Sequence, residues 1–211
     1  KPIKVMIIRL SLNDDKKRAD LRELFSDLFG TYTMGPAFAC ACILLNFNPL
    51  KACEETKSHP NFLKRVYFML KGLEKMSSEE VMDPYRLIIE NLHNIWSESI
   101  LASNQNITIN DNTKLELDIW IEDLYSELSK YKAIKYSVSS WRIAVELFAE
   151  WNEDLKADRE LSTPSCSEKS SLKDVLNAAW LCLIQYSDRD KEIARAAKSL
   201  CMAILKRDTK T

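Results

Sequence analysis

NFLKRVYFMLKGLEK, residues 61 to 75, repeats apolar side chains at Phe62, Val66, Met69, Leu70 and Leu73. Steps of three and four residues put all five on one face of an α-helix; a half-buried strand would instead alternate. Pro60 stands just before the stretch, where a helix is expected to open. The same period recurs on both sides. Toward the N-terminus, Leu21, Leu24, Phe25 and Leu28 mark a helix over 14–29, with Asp14 or Asp15 placed to cap it. A further helix is expected from Pro36 to just before Pro49. The lead KPIKVMIIRLSL reads equally well as strand or helix.

Toward the C-terminus, Asp83-Pro84 is a helix-start signal, the carboxylate capping free amides and the proline fitting the first turn. The helix it opens carries Ile88, Leu92, Trp96 and Ile100. A polar loop over 103–113 precedes a helix with Leu117, Trp120, Leu124 and Leu128, and another starts near Ser139 with Trp141, Ala144, Phe148 and Trp151. Ser171 to Asp174 has capping-box spacing ahead of LKDVLNAAWLCLIQY, whose apolar side chains run almost all round and predict a deeply buried helix. A last helix is expected over about 188–207, with Ile193, Ala197, Leu200 and Ile204 on its inner face.

Only three glycines and six prolines occur in 211 residues. Sheets closed by tight hairpins need glycine for positive φ; helices do not. The fold class is therefore all-α. Paired in order, the helices make about four antiparallel hairpins starting near 14, 60, 112 and 171, intervals of 46, 52 and 59 residues. These exceed the roughly 40–47 residues of HEAT and armadillo repeats, and no sequence signature repeats. A degenerate solenoid of that type and an irregular helical bundle remain alternatives. The chain reads as one helical domain over 1–211. The serine-rich LSTPSCSEKSS, 161–171, is expected to be a flexible loop separating a C-terminal helix pair over 172–207.

Thirty basic and 31 acidic side chains leave a formal charge of −1, and the basic runs are broken by acids, as in DDKKRADLRELFSD. A phosphate-tracking surface usually shows a clear basic excess, so nucleic acid is an unfavoured partner. No secretory leader pattern occurs, and no apolar run reaches the ~20 residues of a membrane span. The chain opens on Lys1, as a fragment of a longer protein would. Six cysteines, mostly inside apolar helical segments, suit reduced thiols in the cytoplasm or nucleus. The sequon Asn106-Ile107-Thr108 reads as chance in that setting.

The motifs that carry chemistry are incomplete. Cys40 and Cys42, two apart on a helix, point about 200° from each other and cannot share one tetrahedral zinc. Only Cys53 and His59 lie near enough in sequence to complete a ligand set, so the pair reads as small packing residues. Glu90 and His93 have the Glu-x-x-His spacing of di-iron bundles, but no second copy exists. Asp14-Asp15 is followed at once by lysines and reads as a cap. Two histidines without an elbow motif define no nucleophilic triad, and Gly30, Gly35 and Gly72 form no phosphate loop. No catalytic residue, cofactor or metal is assigned.

The expectation is thus a non-enzymatic protein–protein interaction module, a helical scaffold or adaptor domain, with another protein or a peptide helix as partner. The candidate anchor is Trp151. It lies between Glu150 and Asn152 in the polar half of its helix, where a partly exposed ring could bury itself in a partner. The alternative is a helical RNA- or membrane-associated protein such as a viral nucleocapsid or matrix component. That reading needs a basic cluster, drawn from Lys64, Arg65 and Lys71 with Lys206 and Arg207.

Overall fold

The computed structural model describes residues 2–12, 14–56, 59–80, 83–103 and 107–209. Asn106 of the sequon lies outside them. Among the described residues every regular element is helical and there is no strand. By their internal contacts the residues form two compact units, Lys1–Lys135 and Tyr136–Thr211.

The first unit holds α1 (Pro2–Leu10), α2 (Asp15–Met34), α3 (Pro36–Ala41), α4 (Phe62–Ser78), α5 (Arg86–Ala102) and α6 (Asp111–Leu128). The ambiguous N-terminal lead is a helix, burying Met6 and Ile7. Side-chain caps start most of the long helices. Asp14 Oδ1 accepts from Lys17 N (3.0 Å), Asn61 from Lys64 N (3.0 Å) and Asn110 from Thr113 N (2.9 Å). Each such cap is worth about 1 kcal/mol. Asp15 instead pairs with Arg18 at 2.9 Å.

Asp83 does not cap α5, which is a correction to the sequence reading. Ser77 Oγ donates to its carboxylate, its φ is 41°, and α5 begins behind Tyr85 with no side-chain cap. The α4 terminus takes the oxygen that the helix start was expected to use.

Gly35 has φ 68°, a value glycine adopts without penalty, and it joins α2 to α3 with no linker. Past α3 the chain widens into a π-helical turn, Cys42–Asn46. Helix α4 packs on α2, α3, α5 and α6, and is the hub of the unit. Gly72 makes its approach to α2 close, since a Cβ there would lie 2.6 Å from Leu28 Cδ1.

The second unit is α7 (Val138–Lys156), α8 (Leu172–Gln185) and α9 (Asp190–Asp208), stacked in order with α8 between its neighbours. The Ser171–Asp174 capping box forms as its spacing predicts. The core comprises Leu147, Trp151, Val175, Ala178, Ile193 and Leu200 with their neighbours. Helix α8 is not enclosed on every side as its composition suggests: Leu176 is exposed and Trp180 half-buried. Two flanking helices cover only two faces.

The stretch 161–171 lies within this unit. It carries a short 3-10 turn, Ser165–Lys169, and is tied down along its length. Ser162 N and Oγ donate to Asp154 Oδ2 (3.0 and 2.7 Å), and Ser165 N and Oγ to Glu150 (both 2.7 Å). Arg207 donates to Ser170 O at 3.0 Å.

Candidate functional site

One concave feature of the first unit is a cleft of about 730 Å³ between α4, α5 and the segment leading into α6. It follows from the helix periods. One edge of the α4 stripe gives Leu63, Val66 and Leu70, and α5 gives Ile89, Trp96 and Ile100, all buried. Ile107, Thr108 and Ile109 line the third side. The rim is polar: Lys71, Glu74, Glu90, His93, Asn94 and Ser97. An apolar floor with few polar groups, in this size range, is the usual form of a binding pocket.

Trp96 is the group of most consequence. It is 6% exposed, and its buried Nε1 has no hydrogen-bond acceptor among the described residues. A buried N–H left unpaired costs about 1–3 kcal/mol. Its ring is held edge-on at 6.4 Å by Phe47, which stacks on Phe62 at 4.7 Å. Arg65 lies over the Phe47 ring at 4.8 Å and grips buried Asp27 through two bonds of 2.8 and 2.7 Å. Burial pushes the Asp27 carboxyl up, against the pull of the Arg65 guanidinium. At the rim, Tyr67 donates to Asp118 at 2.7 Å; burial and that acidic acceptor raise the phenol.

Glu90 and His93, singled out by their spacing, both reach the rim of this cleft and are exposed. Among the described residues no group of three or more His, Cys, Asp or Glu could hold a metal ion. Cys40 and Cys42 are buried near the α3 junction. Burial raises both thiols, Cys42 to about 11, and raises Cys182 in the second unit to about 12. At neutral pH burial keeps these thiols protonated, without the thiolate that a nucleophile requires.

The partial exposure expected of Trp151 is corrected by the structure. It is 0% exposed, and its Nε1 donates to Ser162 O at 3.1 Å. Local sequence places it on a polar stretch, but the loop eleven residues on folds back over it. Its role is closure of the second core. The cluster required by the nucleic-acid alternative is largely neutralised within the fold. Lys64 pairs with Glu55, Arg65 with Asp27 and Glu23, and Lys71 with Glu74, while Arg207 donates to main-chain carbonyls.

A second apolar surface lies between the turn after α1 and α6, where Leu12, Leu115 and Ile119 are 80%, 63% and 52% exposed around a shallow depression. Among the described residues no helix is long and apolar enough to cross a membrane. Compared with protein-family models, curated proteins and solved structures, the chain matches none.

Proposed function

We propose that the protein is a non-enzymatic interaction module whose first unit receives an apolar peptide segment in the α4–α5 cleft. The observation that carries this reading is the cleft itself, an apolar floor that includes Val66, Leu70, Ile89, Trp96 and Ile100 under a polar rim. A bound segment offers apolar side chains for the floor, and a shift of the Trp96 ring on binding would open its enclosed indole N–H to a backbone carbonyl. A polar rim around a buried aromatic anchor is the anatomy of an interaction hot spot. The exposed apolar surface between the turn after α1 and α6 supports the same class of function, since such patches mark contact sites.

The test places a photo-crosslinking amino acid at Leu101, on the cleft edge and 65% exposed, in the full chain. Ser97→Trp serves as a cleft-filling control. The expected result is a crosslink to one short apolar segment, lost in Ser97→Trp, with the Trp96 indole N–H resonance displaced on binding. A crosslink that survives Ser97→Trp, or an unmoved indole resonance, overturns the proposal.

A further inference from the structure

The inner face of α9 (Ile193, Ala197, Leu200, Ile204) is spent on the core of the second unit. Its outer face carries Lys191, Arg195, Lys198, Met202 and Leu205, in successive steps of four, three, four and three residues. That is the seam spacing by which one helix pairs with another, and here it runs for about 21 Å on the solvent side. The three cations are exposed, as are Met202 (48%) and Leu205 (44%). A depression of about 530 Å³ lies along this face, with Lys206 at its far end.

Among the described residues, Lys191, Arg195, Lys198 and Lys206 form no ion pair. The acids of the same helix are engaged elsewhere: Glu192 pairs with Arg189 at 2.6 Å and Asp208 with Arg207 at 2.9 Å, while Asp190 accepts from the Lys191 amide. The seam is therefore basic in its first half and apolar in its second. Asp188 sits at its N-terminal edge.

We propose that this face docks an amphipathic helix of another protein, one that brings carboxylates to Lys191, Arg195 and Lys198 and apolar side chains to Met202 and Leu205. Charge complementarity selects the acidic partner and the seam spacing selects a helix. A second copy of the chain fits poorly. Laid parallel, α9 would set cation on cation; laid antiparallel, it would cover cations with Met202 and Leu205 and no countercharge. Nucleic acid is disfavoured because α9 has no aromatic residue to stack a base and two seam positions are apolar. A lipid surface needs a continuous exposed apolar face, which α9 has already buried.

The test measures fluorescence anisotropy of a labelled synthetic helix, with Glu at the seam positions of one half and Leu at those of the other, against the full chain. The expected result is salt-sensitive binding, weakened at least about tenfold by Arg195→Glu with Lys198→Glu. Met202→Ser should weaken it a few fold with the salt dependence unchanged. Circular dichroism should show both variants folded, because these side chains leave the core untouched. Ser97→Trp should leave binding unaltered, which separates this surface from the cleft. No binding, binding indifferent to the α9 variants, or loss in Ser97→Trp overturns the proposal. So does tighter binding of poly(U) RNA or of phosphatidylserine vesicles through the same cations.

Discussion

Trp151 in the second unit and Trp96 in the first are both buried, yet their indole N–H groups end differently. Trp151 donates to Ser162 O at 3.1 Å, and the loop supplying that carbonyl is clamped by Asp154. Trp96 is 6% exposed and has no acceptor among the described residues, although it lines a cleft of about 730 Å³. The first tryptophan finishes a core. The second lines a cleft with its N–H unpaired among the described residues. Burial alone therefore does not say whether a tryptophan's N–H is satisfied; the neighbouring acceptor decides that.

The largest effect should come from forcing the finished region open. Ala178 is fully buried in the middle of α8, within the same core as Trp151. Ala178→Trp should overpack it and cost on the order of 1–3 kcal/mol or more, seen as a lower melting temperature. An unchanged melt would show that the α7–α8–α9 interior has slack that its contacts do not suggest.

A smaller effect should follow from unlatching the loop over Trp151 with acid. Hydrogen bonds from Ser162 and then the Arg159 guanidinium hold the Asp154 carboxyl below the usual carboxylate value. A depressed folded pKa contributes stability that is complete above the unfolded value of about 3.9 and is lost as pH falls through the folded one. Below about pH 4 the second unit should weaken, and Trp151 fluorescence should begin to report water. Asp154→Asn should flatten that acid dependence while leaving the fold intact at pH 7. If the acid profile keeps its shape in the variant, Asp154 is not the latch.

Much of this fold could be read in the sequence because its causes are local. The stripes of α4, α6 and α7, the Asp14 cap and the Ser171–Asp174 box depend on neighbours within one or two turns. Where reading failed, the cause came from a distance. Ser77 draws the Asp83 carboxylate away from α5, and the 161–165 loop covers Trp151. The cleft was hidden for a different reason. Val66, Leu70, Trp96 and Ile100 sit on core-like stripes whether they meet a helix or border a cavity. The exposed pair Glu90 and His93 lies on the adjoining face of α5, but its spacing raises only a di-iron comparison that the missing second copy sets aside. The α9 seam was legible in principle. Its cations look scattered along the chain, and projecting them at 100° per residue brings them to one side.

The contrast between the two tryptophans is tested most directly by urea unfolding of Trp151→Phe and Trp96→Phe. Both substitutions remove similar ring area, so the difference between them isolates the N–H. Trp151→Phe strands the Ser162 carbonyl; Trp96→Phe deletes a donor that already lacks a partner. The expected result is that Trp151→Phe loses about 1–2 kcal/mol more stability than Trp96→Phe, whose cost should fall below about 1 kcal/mol. Equal losses, or a larger one at Trp96, would contradict the account, because the Trp96 N–H would then already be satisfied within the chain and the cleft would have no unmet bond to offer a partner.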